Sequence, residues 1–307
     1  MALGKVGLVG AGAVGSFYGL MLKESGEDIH FHLRSNFQEV ARSGFSLIHH
    51  SLDKKINKIK NASIYRNPID IGVCDWIIIA TKATANADIP DLISPMVGAN
   101  TSFLTLQNGM GNVENLLGAF GKDRTVLGGL CFTCINRTSP TSIESLLPGY
   151  VQFGQIGAKL TGRANLMVNS FKKAGIKIRR SDSLDEALWR KLCWNVPFNG
   201  LSIACGGITT DVILHSPKLR ERARTLMFEI QAGAKANGIL IEDSFLEKQF
   251  ILTQPMGPYR PSSLIDFQSG KPVEVEAIWG EALKRSISKG LQMNELRKLF
   301  NELKILT

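Results

Sequence analysis

Cysteines, aromatic residues and long apolar runs are all scarce in this sequence. Of 307 residues, five are cysteines and 7% are aromatic. The odd cysteine count, with most thiols inside apolar segments, predicts reduced cysteines and a cytoplasmic protein. No apolar run approaches the ~20 residues that a membrane-spanning helix needs, so we expect no membrane segment. A strand-like segment already begins at Lys5, so we expect no signal peptide.

Two of the cysteines, Cys131 and Cys134, have the spacing of a redox or zinc motif. Neither a second such pair nor a nearby pair of histidines accompanies them, and they fall within a segment typical of a strand. We therefore interpret this pair as structural and predict no metal site.

Acidic residues are fewer than basic ones, 27 against 36, which gives a net charge of +9. This excess favours an anionic ligand without identifying it. Much of it lies in two clusters: Lys54, Lys55, Lys58 and Lys60, and Lys172, Lys173, Lys177, Arg179 and Arg180. Because neither cluster is interleaved with aromatic residues and no nucleic-acid-binding motif is present, we interpret both as solvated faces. We expect no nucleic-acid partner.

The length favours two domains, and the sequence pattern changes along the chain. In the first part, short apolar runs alternate with helical stretches, which is typical of βαβ units with a parallel sheet. The predicted strands are Lys5–Val9, Asp28–Leu33, Trp76–Ala80, Ser102–Leu106 and Val126–Thr133, with a helix over Gly15–Ser25. The stretch Ser142–Gly157 has no helical period, and we expect it to add antiparallel strands at one edge of the sheet.

From about Ser183 onwards the sequence is typical of one helix after another. The predicted helices are Asp185–Asn195, Leu219–Asn237, Phe245–Thr253, Val273–Lys289 and Asn294–Leu306. The last has apolar residues at i, i+3, i+4 and i+7. Residues 183–307 are therefore predicted to form an all-helical domain that carries the substrate and catalytic residues. Its apolar helices are compatible with a homodimer.

The first predicted strand is followed by the glycine-rich sequence Gly10-Ala11-Gly12-Ala13-Val14-Gly15. Between a strand and a helix, this GxGxxG pattern is typical of a dinucleotide-binding turn. Gly10 permits the tight turn, Gly12 lets the backbone approach the pyrophosphate, and Gly15 lets the helix pack on the strand. The helix N-terminus adds free N–H groups for phosphate. All six residues are predicted to bind the cofactor, and residues 1–182 to form a Rossmann-type domain of an α/β protein.

The end of the second predicted strand distinguishes NADP from NAD. An NAD site has an acidic residue there, ~20 residues past the glycines, which holds the ribose hydroxyls. This chain has Leu33-Arg34-Ser35 instead, and Asp28 precedes the strand. Since Arg34 offers a planar, multi-donor cation to a 2′-phosphate, we predict NADP (NADPH) as the cofactor. The alternative is that Arg34 only faces solvent.

A candidate for acid catalysis lies on the first helix of the second part. Lys191, Asn195 and Asn199 recur at i, i+4 and i+8 and so lie on one side, within roughly 80° of one another. Their neighbours are apolar, and a desolvated ammonium group suits a proton donor. Pro197 removes one backbone hydrogen bond, and we expect it to bend the helix. The same spacing is compatible with a lysine that reaches water and asparagines that satisfy backbone groups.

Over nearly its whole length the chain resembles the ketopantoate reductases (2-dehydropantoate 2-reductases). The motifs that carry the resemblance are the glycine turn, Leu33-Arg34-Ser35, Thr81-Lys82-Ala83, Gln107-Asn108-Gly109-Met110-Gly111, Arg190-Lys191-Leu192 with Asn195 and Asn199, and Pro261-Ser262-Ser263-Leu264 leading to Gly270-Lys271-Pro272-Val273-Glu274. Most are weak singly, but together they are specific. The resemblance implies a Rossmann domain followed by an all-helical domain. It also implies NADPH-dependent reduction of 2-dehydropantoate, a small 2-keto acid, to (R)-pantoate in pantothenate biosynthesis.

The resemblance further implies roles for individual residues. Lys191 matches the family's catalytic lysine, the general acid, and Glu274 matches the acidic residue that supports it and contacts the hydroxyl end of the substrate. Asn108 matches an asparagine near the nicotinamide and the substrate, and Lys82 a lysine that binds the cofactor. Arg34 matches the arginine of the 2′-phosphate site. The residues that match the polar groups holding the keto acid are Asn195, Asn199 and Ser262.

The chain departs from the family pattern near the catalytic lysine. Family members often have an apolar run followed by Asn-Pro-Leu-Thr there, whereas this chain has the stretch Trp194–Ser202, in which the proline has moved to Pro197. In addition, Pro261 rather than a second serine precedes Ser262. These departures leave the chemistry intact. They keep open a related NADP-dependent dehydrogenase that acts on another 2-keto or 2-hydroxy acid. A non-catalytic NADP-binding sensor is the alternative outside enzymes.

Overall fold

The computed structural model describes residues 3–50, 55–160 and 162–307. These residues divide into two compact units, each with its own hydrophobic core. The first unit comprises the described residues up to Gln107 together with Asn112–Leu184, and the second comprises Asn108–Gly111 and Asp185–Thr307. The first unit holds a sheet and the second is helical, so the predicted α/β fold class is confirmed.

The first unit is built on a mixed ten-stranded sheet. Its strands are β1 (Lys5–Val9), β2 (Asp28–His32), β3 (Phe45–His49), β4 (Lys55–Ile59), β5 (Ser63–Tyr65), β6 (Cys74–Ile79), β7 (Val97–Thr105), β8 (Val126–Arg137), β9 (Ser142–Gly154) and β10 (Ile178–Arg180). The order is β4-β3-β9-β8-β7-β6-β1-β2-β5, and β10 pairs with β9. From β8 to β5 neighbouring strands are parallel, whereas β9 runs antiparallel to β8.

Helices connect these strands and cover the sheet. They are α1 (Ala13–Glu24), α2 (Phe37–Ser43), α3 (Pro68–Ile71), α4 (Ile89–Ile93), α5 (Asn112–Phe120) and α6 (Gly162–Lys173), with short 3-10 turns at Ala83–Ala85 and Ser94–Met96. Residues 76–79 of β6 are fully buried, as expected for a central strand covered on both faces. Each of the five apolar runs predicted as strands falls on a strand, so that part of the prediction is confirmed, although Leu33, Ala80 and Leu106 lie one residue beyond the strand ends.

The prediction for residues 142–157 was partly wrong. The segment forms one long strand, β9, antiparallel to β8, but β9 is not an edge strand because β3 and β4 lie beyond it. Neither β3 nor β4 was predicted from the sequence. The pattern of β4 is half polar, and its lysines face solvent at the outer edge, where charge discourages pairing with another chain.

Both basic clusters are exposed where the structure describes them. Lys55, Lys58 and Lys60 are exposed on or beside β4, and Lys54 lies outside the described residues. The second cluster is exposed along α6 and β10, and the Arg179 guanidinium lies 4.0 Å from the centroid of the Tyr150 ring.

Successive helices form the second unit, as predicted. They are α7 (Leu184–Ala204), α8 (Thr210–His215), α9 (Pro217–Ala236), α10 (Asp243–Thr253), α11 (Ser262–Gln268), α12 (Glu281–Ile287) and α13 (Asn294–Leu306), with a 3-10 turn at Gln254–Met256 and a π-helical turn at Glu276–Gly280. The bounds of α13 are those predicted. Because buried neighbours support it, α7 continues through Pro197 as far as Ala204, well beyond its predicted end. The bend at Pro197 stays a prediction.

All five cysteines are free thiols. Burial raises the pKa of Cys193 to about 12 and that of Cys74 to about 11. In residues 3–50, 55–160 and 162–307, no group of three or more His, Cys, Asp or Glu side chains is placed to hold a metal ion. The helices in these same ranges include none that is both long and apolar enough to cross a membrane.

Candidate active site

The predicted cofactor-binding segments of the first unit follow neighbouring parallel strands. The glycine turn follows β1, Arg34 follows β2, and Lys82 follows β6. Because β2, β1 and β6 are parallel neighbours in the sheet, their carboxyl ends lie at the same edge. The fold therefore brings these three segments together, in the arrangement that open α/β sheets use for ligands.

Each glycine of the turn meets a different steric demand. Gly10 has a φ of 88°, and a Cβ there would lie closer than 3.0 Å to the backbone of Thr81. A Cβ on Gly15 would lie equally close to the carbonyl oxygen of Gly10. By contrast, a Cβ on Gly12 would meet only one atom, at 3.9 Å, so this side of the turn is open. The turn therefore fits a diphosphate that approaches the backbone at Gly12 and the N-terminus of α1.

A small amide network holds the loops that follow β6 and β7. The Nε2 group of Gln107 donates to Asn86 Oδ1 at 2.7 Å and to Thr81 Oγ1 at 3.2 Å. The Nδ2 group of Asn86 in turn donates to Asn112 Oδ1 at 2.8 Å. The network fixes the turn that carries Lys82. The network could not be predicted from residue spacing, because its hydrogen bonds join side chains that come from separate segments of the chain.

Arg34 is exposed at the carboxyl end of β2, where the 2′-phosphate of NADP was predicted to bind. Nearby, His32 is buried, and its Nε2 lies 3.1 Å from the carbonyl oxygen of Arg66. Burial lowers the pKa of His32, and the charge of Arg34 lowers it further. His32 is therefore neutral near pH 7, and the positive charge after β2 comes from Arg34.

In the second unit, the side chain of Lys191 is held by an amide. Its Nζ donates to Asn108 Oδ1 at 2.9 Å, and both residues are partly buried. Lys191 lies on α7, whereas Asn108 comes from the four-residue segment Asn108–Gly111 that belongs to this unit. A neutral acceptor orients the ammonium group without cancelling its charge, which suits a proton donor.

The backbone after Asn108 is docked on the segment that follows Glu274. The Met110 N–H donates to the Ala277 carbonyl at 2.8 Å, and the Ile278 N–H donates to the Glu274 carbonyl at 3.1 Å. Glu274 is buried, with 4% of its surface exposed. The two segments that carry Asn108 and Glu274 are therefore tied together by the π-helical turn.

Gly109 is required for this docking, so we expect Gly109→Ala to lower kcat at least tenfold by displacing Asn108 from Lys191. Its φ is 83°, and a Cβ would lie closer than 3.0 Å to the Ala277 carbonyl, a backbone group that cannot rotate away. Steady-state kinetics with a thermal unfolding control measures the effect. Gly118→Ala is the matched control, since a Cβ on Gly118 in α5 would meet nothing within 4 Å. Wild-type kcat in the Gly109 variant would contradict the role of this contact.

The predicted substrate-binding residues also lie in the second unit. The Oδ1 of the buried Asn199 accepts a hydrogen bond from the Ser263 N–H at 3.2 Å, next to the exposed Ser262. Asn195, one turn earlier on α7, has 8% of its surface exposed. The structure thus brings Asn199 to the start of α11, which the spacing along the chain did not show.

Comparison with known proteins gives matches over both units. Residues 6–158 match the family model for ketopantoate reductase PanE/ApbA, and residues 183–307 match the model for its C-terminal domain. A 2-dehydropantoate 2-reductase from a Nostoc species is 34% identical over 98% of this chain and 95% of its own length. The crystal structure of 2-dehydropantoate 2-reductase from Geobacter metallireducens superposes with a TM-score of 0.94 at 35% identity, and covers 99% of this chain and 100% of that one. D-mandelate dehydrogenase, solved with NADH and anilino(oxo)acetate, shares the fold at 20% identity, with a TM-score of 0.87 over 98% of this chain and 97% of its own.

Proposed function

Because the chain belongs to the ketopantoate reductase family, we propose that it reduces 2-dehydropantoate to (R)-pantoate with NADPH, a step of pantothenate synthesis, in the cytoplasm. The observation that carries this proposal is the 2.9 Å hydrogen bond from Lys191 Nζ to Asn108 Oδ1, which presents an oriented ammonium group. We assign cofactor binding to residues 1–182, and substrate binding and proton transfer to residues 183–307.

Reduction of a 2-keto acid requires a hydride, a proton for the forming alkoxide and groups that hold the carboxylate. When bound, the reduced nicotinamide supplies the hydride. Lys191 stabilises the negative charge that grows on the carbonyl oxygen and then donates a proton from Nζ. Asn108 keeps Nζ oriented. The buried carboxylate of Glu274 favours the charged form of the lysine, which opposes the cost of desolvation.

Neutral polar groups hold the keto acid in this proposal. They are Asn195, Asn199 and Ser262. Since the Oδ1 of Asn199 already accepts the Ser263 N–H, its Nδ2 group is the one that donates to the substrate carboxylate. Amide and hydroxyl donors bind a carboxylate without adding a second full charge beside Lys191, so the ammonium group remains the strongest acid at the carbonyl oxygen.

For the cofactor we favour NADP over NAD. Arg34 lies at the carboxyl end of β2, where an NAD site has a carboxylate, and its guanidinium matches the 2′-phosphate in charge and geometry. The open side of the turn at Gly12 receives the diphosphate, and Lys82, after β6, adds a further cation.

A second candidate function is the reduction of a 2-keto acid with a larger side chain. Aromatic rings lie next to the proposed keto-acid residues: the ring of Trp194 lies 5.1 Å from that of Phe198 and 6.3 Å from that of Tyr259, between centroids. Trp194 directly precedes Asn195 on α7. Phe198 is fully buried, whereas Trp194 and Tyr259 are partly exposed, so in this second candidate the last two rings would contact an apolar or aromatic substituent.

The test is oxidation of NADPH by the purified protein with ketopantoate and with a panel of other 2-keto acids, including aromatic ones. We expect the highest kcat/KM with ketopantoate and (R)-pantoate as the product. Turnover of another 2-keto acid with none of ketopantoate would overturn the substrate and retain the reaction class. Tight NADPH binding with no turnover of any acid would indicate the sensor alternative.

A further inference from the structure

Arg137, the last residue of β8, points its guanidinium into the glycine turn. Its Nη2 group donates to the carbonyl oxygen of Ala11 and, at 2.7 Å, to the hydroxyl of Ser16. The Ser16 hydroxyl itself donates to the Ala11 carbonyl at 2.9 Å. The guanidinium therefore lies against the turn and the first turn of α1. It belongs to none of the motifs, and it lies 126 residues from Ala11 along the chain.

This cation has no anionic partner in the part of the chain that the structure describes. None of the ion pairs found there involves Arg137, and its buried Nε has no hydrogen-bond partner. Desolvation by burial lowers the pKa of Arg137, yet a guanidinium stays charged in a protein. Arg137 is only partly buried, but a charge that is taken even partly out of water is normally paired, because an uncompensated one costs folding free energy.

The position of the guanidinium makes this cost larger. The N-terminal end of a helix carries roughly +0.5 of an elementary charge. In α1, all of whose residues the structure describes, the first turn contains no acidic residue to compensate it. The guanidinium of Arg137 thus adds positive charge to an end that is already positive. An anion at this turn would compensate both, and the open side at Gly12 leaves room for one.

We propose that Arg137 is a further cofactor-binding residue, whose guanidinium supplies positive charge for the diphosphate of the bound dinucleotide. The inference rests on the proposed function, which places a dinucleotide at this turn. It assigns the two arginines different tasks: Arg34 recognises the 2′-phosphate, which only NADP has, and Arg137 serves the diphosphate, which NADP and NAD share.

The experiment measures the dissociation constants of NADPH and NADH for the whole protein by calorimetry or cofactor fluorescence. Arg137→Gln removes the charge and retains a donor for the Ala11 carbonyl, whereas Arg137→Lys retains the charge. We expect Arg137→Gln to weaken both cofactors by the same factor, about tenfold or more. We expect Arg137→Lys to stay within about threefold of wild type. Arg34→Ala is the comparison, because it should weaken NADPH alone.

Two further measurements distinguish an effect of the Arg137 charge on cofactor binding from an effect of its packing on the fold. Binding to the Arg137→Gln variant should depend less steeply on salt concentration, because one fewer cation meets the diphosphate. Without cofactor, the Tm of Arg137→Gln should equal or exceed that of the wild-type protein. Addition of NADPH should raise the Tm of the variant by less than it raises the Tm of the wild type.

Equal losses in the Gln and Lys variants, or wild-type affinity in Arg137→Gln, would overturn the inference and leave the proposed function standing. A wild-type protein that binds neither dinucleotide would overturn both.

Discussion

Lys191→Ala is expected to lower kcat about a hundredfold or more, with the affinity for NADPH retained. The variant removes the ammonium group that donates to Asn108 at 2.9 Å, and with it the proposed proton donor and the charge proposed to stabilise the forming alkoxide. Steady-state kinetics with ketopantoate and a separate cofactor titration measure the two quantities. We expect the loss to appear in kcat and not in cofactor affinity, because the proton is needed at the reacting carbonyl and not at the nucleotide.

Lys235→Ala is the matched control for this change. Lys235 is an exposed lysine on α9 in the same unit, so its removal changes the net charge equally and should leave kcat at the wild-type value. A second variant, Asn108→Ala, leaves the ammonium in place but unoriented, and we expect a smaller loss than in Lys191→Ala. Activity near wild type in Lys191→Ala would show that another group is the acid.

The second large effect concerns the cofactor: Arg34→Ala should raise the KM for NADPH about 10- to 100-fold and leave that for NADH nearly unchanged. A hydrogen bond to a charged group is worth about 1.5–3 kcal/mol, and each 1.4 kcal/mol is about a tenfold change in affinity. With saturating NADPH, kcat should equal the wild-type value, since Arg34 lies after β2 and contributes no proton. Steady-state kinetics with each cofactor measures the KM for NADPH and the KM for NADH, and the ratio of the two tests the prediction.

Lys172→Ala serves as the control for this change, because Lys172 is an exposed cation on α6 in the same unit. Removing it tests whether a change of overall charge alone weakens NADPH binding. Equal weakening of NADPH and NADH in Arg34→Ala would contradict a 2′-phosphate site at this residue. An unchanged KM for NADPH would show that Arg34 only faces solvent.

Local patterns along the chain were sufficient for much of the fold. Buried strands such as β1 and β6 are continuous apolar runs, and α13 shows the helical repeat of apolar residues, so their type could be predicted from neighbouring residues alone. The glycine turn could also be predicted locally, because its GxGxxG pattern lies between a strand and a helix that adjoin it in sequence. The close approach of Gly10 to the Thr81 backbone, after β6, could not. In the second unit α7, α9, α10, α12 and α13 were predicted on the same grounds, whereas the short helices α8 and α11 were missed.

Other features depend on residues far apart in the chain, and no local pattern encodes them. The interior position of β9 depends on its pairing with β3, which in turn pairs with β4, and the half-polar sequence of β4 gives no clear strand pattern. The contact between Lys191 and Asn108 spans 83 residues, and the docking of Gly109 on Ala277 depends on a π-helical turn. Arg137 reaches the glycine turn only because β8 ends beside α1. Short-range patterns thus account for the apolar strands, the longer helices and the glycine turn, whereas the contacts of the Lys191 ammonium group and of the Arg137 guanidinium follow from packing between residues far apart in the chain.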